Sequence, residues 1–580
     1  TGDQWIYIAP TTNSINELPR ELDRVRISVN RMWPASRTVI SKLTSRPLAF
    51  YVPPTAADDA TLRAAKTSES ILRSLAREHD WEGLREDSFW ATWQGGTSAL
   101  CLEWDPKAGA PLGLADKPNL GTGDTKESVL SILDFVVQAG VKDAETARFW
   151  IRRQALPPGD VKYAYGLKDD PETADRAHIG ASVSMSGNTN TPADLTEVLT
   201  YYERPCHGEP GKVLTVVGDT VVERGKWPFP FKDRLNLVTV RETRVVNRWT
   251  GDTVLKIARP VQVALNQAWS SKIEHTKLAG NARLAISESA ADRYDSLTDL
   301  PGELLLWPDG TEKPAWIAPL TMQGVLEEIL ALANELDDIL GVHDASRGAA
   351  PVNIESGLGL SILVEQDATP LGRMTKESAL SFGRFASLVL KTYEAKVKES
   401  RTATVTTPGQ PPETTQWTGS DLQKQTTAIV PIDAVMPRSR AQQMEFAKQA
   451  LQMGLIEPGA GGLVQFLRMA EHPDAEGIME TMSPDVAKAR RENAMMWLGR
   501  PAVPEKFDDH NVHAGPGGEH LTAMKSPRWD MASDEVKSIF HDHMKAHSNY
   551  SGEGMGKAAR RGTLNPLAAT VVDPDGGPII

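Results

Sequence analysis

The chain has 580 residues, 40% hydrophobic and 24% charged, an ordinary globular balance with length for roughly four domains and a sizeable core. Its net charge of −13 argues against a surface that grips nucleic acid through many phosphate contacts, unless basic residues are segregated. Cys101 and Cys206 lie far apart with no CxxC spacing, which indicates neither a disulfide framework nor a zinc ribbon and suits a reduced, cytosolic setting, and no apolar run reaches the roughly 20 residues of a membrane span.

The sequence opens at Thr1 without Met and without a basic region followed by an apolar one, so an N-terminal piece is expected to be missing or processed. Ser14-Ile15-Asn16-Glu17 fits a capping box, and Ile15, Leu18, Leu22, Val25, Ile27 and Val29 continue a helical pattern until Pro34 breaks it. A second helix runs to about Ser45, and the five arginines from Arg20 to Arg37 read as the polar side of an amphipathic helix. Asp58 to Glu78 is a further helix, and Asp80 caps another that ends at Gly95-Gly96. Thr97 to Trp104 alternates as a strand. Residues 106 to 145 read as an insertion with a helix over Glu127 to Ala139, Ala147 to Gln154 returns to strand, and Pro157-Pro158 leads into a short helix stopped by Gly166. After a polar loop over 167 to 193 come strands at Leu195 to Arg204, Lys212 to Val217 and Thr220 to Glu223, the last two joined by Gly218-Asp219.

From Gly251 the character changes. Asp252 to Ala279 reads as a helix that Pro260 either kinks or starts, and Arg283 to Leu320 as short strands with three basic against seven acidic residues. Thr321 is a candidate N-cap for a helix stopped by Gly341. The first of these helices carries four basic and two acidic residues and the second five acidic and none basic, so they should pack together or against a neighbouring copy. A loop without period, 342 to 355, precedes a long helix from Ser356 to about Ser400, kinked at Pro370, with Leu371, Met374, Phe382, Phe385, Leu388, Val389, Tyr393 and Val397 on one face. Arg401 to Val430 alternates and should return to the sheets of the first half. Helices follow at Ser439–Met453, Gly462–Ala470, Ala475–Met482, Pro484–Trp497 and Ser533–His547, with a Pro/Gly/His-rich connection over 499 to 530 and a tail over 551 to 580 expected to be disordered unless a partner holds it. The fold class is α+β, mainly helical.

Chemistry is sparse. There is no phosphate loop, dinucleotide fingerprint, nucleophile elbow or HExxH. Six of the twelve histidines fall between His510 and His547, and His543 and His547 share a helix face at i, i+4. They read as polar capping and packing around a loop or, less simply, as ligands of a structural metal; no cofactor or metal is assigned. The carboxylates of Glu327 to Asp338 read as a solvated face rather than an acid/base pair.

The order of α+β region, helix, small module, helix, loop, long kinked helix and helical C-terminal part resembles the portal proteins of tailed bacteriophages. The resemblance rests on Gly251-Asp252 through Gln262 and Asn266, on Leu340-Gly341-Val342 with Ser356-Gly357, and on Asp509-His510-Asn511-Val512-His513 with its later histidines. It implies a portal fold: wing over 1–251, stem helices at 252–281 and 321–341 flanking a clip at 282–320, tunnel loop at 342–355, wing helix and β return at 356–435, crown at 436–550, then the tail. It further implies no catalysis, a homo-oligomeric ring, usually of twelve, at one capsid vertex of the virion, assembled in the host cytoplasm. Its partners would be the major capsid protein, a large terminase, a head-tail adaptor and double-stranded DNA passing through the channel, with no membrane. The acidic balance would then let DNA slide past the wall.

Three site expectations follow. The clip, through Asp292, Asp295, Asp299, Trp307 and Trp316, should dock the terminase and then the tail connector. Lys256, Lys272 or Lys277 should pair with Glu327, Glu328 and Glu335, in part across subunits. The tunnel loop should project into the channel, with Gly348 and Pro351 giving an irregular path, Arg347 nearest to DNA phosphate and His343 charged only at mildly acidic pH. Another ring-forming connector or scaffold, and an enzyme with a scattered site, stay open as alternatives.

Overall fold

The computed structural model describes residues 6–8, 15–17, 25–109, 121–167, 171, 195–280, 283–285, 315–317, 324–342, 371–405, 413–432, 440–455, 466, 484–497, 499–515, 517–526, 529 and 532–554. The fold is mixed α+β, and the chain divides into two compact units, the first formed by residues 1–402 and 416–437, the second by 403–415 and 438–580. Among the described residues no helix is long and apolar enough to cross a membrane.

In the first unit β1 (Ile6–Ile8) pairs with β2 (Ile15–Glu17), so Ile15 sits in a strand and not in the helix its capping pattern suggests. Residues 25–31 also carry no helix. They form a strap antiparallel to a later helix, where Ser270 Oγ, Asn266 Oδ1 and Gln262 Oε1 accept from the backbone N–H groups of Ile27 (3.0 Å), Val29 (3.0 Å) and Arg31 (3.2 Å). Four residues of helix advance about 6 Å and two of extended chain about 6.6 Å, so the two registers match. The alternation Val25, Ile27, Val29 was the local sign of this period-two segment.

Helices α1 (Met32–Leu43), α2 (Asp59–Glu78) and α3 (Trp81–Gly95) follow, with Pro34 inside the first turn of α1, where its missing N–H is harmless. The caps are those the sequence announces: Asp58 accepts from Thr61 N, Asp80 from Gly83 N, and Gly96, at φ 75°, ends α3. Strand β3 (Thr97–Asp105) pairs antiparallel with β4 (Asp124–Ser131). The helix expected over Glu127–Ala139 is therefore absent: four residues after β4 the chain enters β5 (Phe135–Val137), the turn closed by Asp134 Oδ2 accepting from Ser131 N. Pairing with β3 outweighs the weak local helical pattern of a segment rich in Val, Ile and Ser.

Strands β5, β6 (Phe149–Leu156), β7 (Thr196–Glu203), β8 (Lys212–Val217) and β9 (Thr220–Lys226) form a five-stranded antiparallel meander, with α4 (Pro158–Tyr165) between β6 and β7. Strand β10 (Leu237–Arg241) completes a second sheet in the order β10-β3-β4, and β11 (Thr243–Arg244) pairs with β12 (Gly251–Asp252). Next come α5 (Val254–Gly280), which contains Pro260 beyond its first turn, the paired strands β13 (Arg283–Ala285) and β14 (Ala315–Ile317), and α6 (Val325–Leu340). Gly324, at φ 81°, precedes α6, whose start is thus later than a Thr321 cap would give; Gly341 ends it as expected. Thr321 itself, the loop over 343–355, the span to Pro370 and the loop over 172–193 lie outside the described residues.

Helix α7 (Gly372–Lys396) is the spine of the first unit. Its expected face is buried throughout, from Met374 to Tyr393, and it packs on β10 and against α2. Beyond it, β15 (Arg401–Val405) and β16 (Glu413–Trp417) make a two-stranded sheet; Arg401 lies 3.5 Å from Asp124 of β4, and Ile429 forms an isolated bridge with Tyr51. A core that also takes in Met374 at the start of α7 joins α1, α3, α5 and α6 through Leu43, Phe89, Leu265 and Leu336.

The second unit is helical among its described elements apart from its share of β15 and β16: α8 (Arg440–Gln452), α9 (Pro484–Trp497), α10 (His510–Ala514), α11 (Glu519–Met524) and α12 (Asp534–Gly554). The 499–530 connection thus holds two short helices that its Pro, Gly and His content concealed, and α12 outruns the expected His547 end. The helices expected over Gly462–Ala470 and Ala475–Met482 and the tail beyond 554 lie outside the described residues.

Two predictions follow. Asn266 is 2% exposed and accepts from both Val29 N and Gln262 Nε2, so Asn266→Ala leaves donors unpaired and should cost about 1–3 kcal/mol in denaturant unfolding, far above an exposed Asn→Ala change on the same helix class. His79, at the end of α2, lies 3.8 Å from Asp124 and 2.8 Å from Glu127 on β4, and these two carboxylates push its pKa up from 6.5 to about 10. A raised folded pKa gives stability that is complete below pH 6.5 and lost as pH rises through about 10. The stability difference between wild type and His79→Gln should therefore shrink from pH 6 to pH 10 in urea titrations; a pH-independent difference refutes the pairing.

Candidate functional site

The chemically richest site lies in the second unit, where α9, α10, α11 and α12 each send titratable side chains to one point. α9 contributes Glu492, α10 His513, α11 His520, and α12 His543 and His547, one turn apart. All are buried, with His513, His520 and His547 fully inaccessible. Ligand atoms of Glu492, His513, His520 and His547 lie within 4.8 Å of one another. His543 Nε2 is 3.1 Å from His520 Nε2, 3.2 Å from His547 Nε2 and 3.6 Å from Glu492 Oε2.

Local structure explains the convergence. Asp509 caps α10 by accepting from Asn511 N and Val512 N, which presents His513 on the inner side of a five-residue helix. The outer ring nitrogens are anchored: His520 Nδ1 lies 2.6 Å from Asn493 Oδ1 and His543 Nδ1 2.8 Å from Ala502 O. His547 Nδ1 meets His510 Nδ1 at 2.8 Å, and the His510 ring stacks on Tyr550. Burial alone would raise the Glu492 carboxyl, but contacts from His513, His520 and His543 outweigh it and hold it well below the usual carboxylate range. Burial pushes His520 down, and burial with the neighbouring imidazoles pushes His547 down to about 3. Glu492 is thus held as a carboxylate, while His520 and His547 favour the uncharged ring. The spacing of His510, His513, His520, His543 and His547 announced part of this cluster, whereas Glu492 carried no signal in its own helix.

The sequence-predicted residues fall elsewhere. His343, Arg347, Gly348, Pro351, Asp292, Asp295, Asp299 and Trp307 lie outside the described residues, and Trp316 sits in β14 opposite Leu284. Helices α5 and α6 do pack on each other. Within the chain, however, no ion pair among the described residues joins Lys256, Lys272 or Lys277 to Glu327, Glu328 or Glu335. Lys256 Nζ is 3.6 Å from Asp252, and Lys272 lies over the Trp269 ring at 5.0 Å. On α6, Asp337 pairs with Arg31 of the strap at 2.8 Å.

A cleft of about 280 Å³ beside α7 is lined by Arg234, Arg384 and Lys391. Glu145 already faces both arginines, at 3.6 and 3.2 Å, so the cleft is no free cationic pocket. In comparison with known proteins, no family model matches the chain, and no curated protein matches it in sequence.

Proposed function

We propose that the chain is a portal protein of a tailed bacteriophage, forming a ring of about twelve copies at one capsid vertex through which DNA is packaged and ejected. The reading comes from the sequence resemblance, and the observation that supports it best is the α5–β13–β14–α6 excursion. Two long helices packed together carry a small β pair between them, and each leaves apolar residues exposed: Ile257 on α5 is 65% exposed, and Leu326 and Leu330, one turn apart on α6, are 54% and 56% exposed. Exposed leucines at i, i+4 beside Glu327 and Glu328, with Lys272 and Lys277 on the adjoining helix, make a surface that a second copy complements in both apolar contact and charge. In such a ring the lysine-to-glutamate pairing missing within one chain forms between chains. The β pair and the residues around it, with Asp292, Asp295, Asp299, Trp307 and Trp316, dock the terminase and then the head-tail adaptor, and the loop bearing His343, Arg347, Gly348 and Pro351 meets the DNA. The chain itself performs no catalysis in this role.

Mass photometry and negative-stain imaging of the purified chain should show closed rings. The double variant Leu326→Glu/Leu330→Glu should leave the circular-dichroism spectrum unchanged but shift the population to monomers and small assemblies, and raised salt should weaken the wild-type ring. Reversal of Asp292, Asp295 and Asp299, or Arg347→Glu, should leave rings intact while impairing adaptor or motor docking and DNA retention, respectively. A wild-type chain that stays monomeric at all concentrations sinks the proposal.

A further inference from the structure

The cluster on α9–α12 contains a conflict of protons that side-chain packing does not resolve. Ala502 O can only accept, so His543 Nδ1 must carry hydrogen, and in the neutral ring its Nε2 is a bare lone pair. Asn493 is oriented by its Nδ2 donating to Glu519 O (3.2 Å), so its Oδ1 accepts from His520 Nδ1, and His520 Nε2 is bare as well. These two bare nitrogens nevertheless face each other at 3.1 Å, and His520 Nε2 lies 3.5 Å from the acceptor-only carboxylate of Glu492. His547 can offer one proton to His543, which leaves His520 Nε2 facing acceptors alone. Glu492 Oε2 and both ring nitrogens of His513 are buried without a hydrogen-bond partner of acceptable geometry, although His513 Nδ1 is 3.1 Å from Oε2. Acceptors that outnumber the donors at one buried point call for a cation at their centre.

We propose that this cluster is a buried structural site for a divalent first-row transition ion, Zn2+ by its donor set, held by Glu492 Oε2 and the Nε2 atoms of His520, His543 and His547, with His513 Nδ1 beside the carboxylate. Ligand atoms around a tetrahedral zinc with Zn–N bonds of about 2.0–2.1 Å stand about 3.3 Å apart, and four of the six separations among these atoms are 3.1, 3.2, 3.5 and 3.6 Å. Imidazole-rich donors disfavour Ca2+ and Mg2+, which take oxygen ligands. Asn493, Ala502 and His510 supply the outer contacts that orient metal-bound histidines. The site is closed on all sides, which fits a structural ion and not a catalytic one with an open position. Its work is to cross-link α9, α11 and α12, with α10 held against the carboxylate through His513; α10 and α11, at five and six residues, are far too short to persist alone. The site needs no second copy of the chain, so its test is independent of ring formation.

The full-length chain, produced without a histidine tag and gel-filtered, should retain about one Zn2+ per chain by elemental mass spectrometry. Chelation by EDTA or phenanthroline should lower the unfolding temperature of this unit by something on the order of 10 °C, and Zn2+ should restore it. Co2+ added to the stripped protein should give the intense visible bands of four- or five-coordinate cobalt, a readout that needs no variant. Glu492→Gln, which keeps shape, and His520→Asn should lose the ion, whereas His207→Ala in the first unit should keep it. The proposal is overturned by wild-type protein that takes up neither Zn2+ nor Co2+ and melts identically with and without chelator. Full retention in both Glu492→Gln and His520→Asn would overturn it too, as would nitrogen NMR of metal-free-purified protein showing a stable imidazolium paired with Glu492 that added Zn2+ does not displace.

Discussion

A nearly all-buried helix can be kept only if each polar group on it finds a partner, and α7 shows what that demands. Glu377, 6% exposed, pairs with Arg241 of β10 at 2.9 Å; Ser381 donates to Thr239 O at 2.9 Å; and the Tyr393 hydroxyl meets Thr125 and Asp124 on β4. Thr375 and Thr392 return their hydroxyls to carbonyls one turn back. Removing one member of such a buried ion pair typically costs about 3–5 kcal/mol, because the survivor stays buried and charged. The register of the β10-β3-β4 sheet on α7 is therefore set by polar matching as well as by the apolar face of Phe382, Phe385 and Val389. Around that spine Phe385 also touches Trp81, which carries the constraint into α3.

A second polar device holds α5 and α6. The strap over residues 25–31 would be unpaired backbone against a helix if α5 presented only apolar residues there. Gln262, Asn266 and Ser270 instead supply acceptors at one-turn intervals, and Gln262 Nε2 donates back to Val29 O. Arg31, at the end of the strap, reaches Asp337 on α6. One extended segment thus bridges both helices of the excursion, and the acidic face of α6 has a partner that no local pairing rule would name.

These cases show which features were legible. Helix ends marked by Asp58, Asp80, Gly96, Gly166 and Gly341 could be read because capping is a contest among neighbours in sequence. The apolar face of α7 could be read because burial leaves a 3.6-residue period. The strap could not, since its partners lie more than 200 residues away and a helical pattern from Ile15 onward absorbed Val25, Ile27 and Val29. Strands β4 and β5 were missed for the same reason: their partners β3 and β6 set their state. In the site, clustered histidines drew notice, but Glu492 is one acid among several in α9, and only tertiary structure sets it apart from exposed neighbours.

The two units also handle buried polarity differently, and that difference has consequences for function. In the first, the buried groups around α7 pair guanidinium with carboxylate and hydroxyl with carbonyl. In the second, an apolar contact of Trp497, Trp529 and Phe540 stands beside a polar centre made of acceptors. Complementary pairs of this kind explain themselves as architecture, because each member is satisfied by the other. A centre whose lone pairs outnumber its donors is not satisfied by its own fold, and burying it costs free energy that neutral packing residues would not. Outer contacts from Asn493 and Ala502 that hold the bare nitrogens of His520 and His543 inward increase that cost and make sense only if the centre is built to receive something positive.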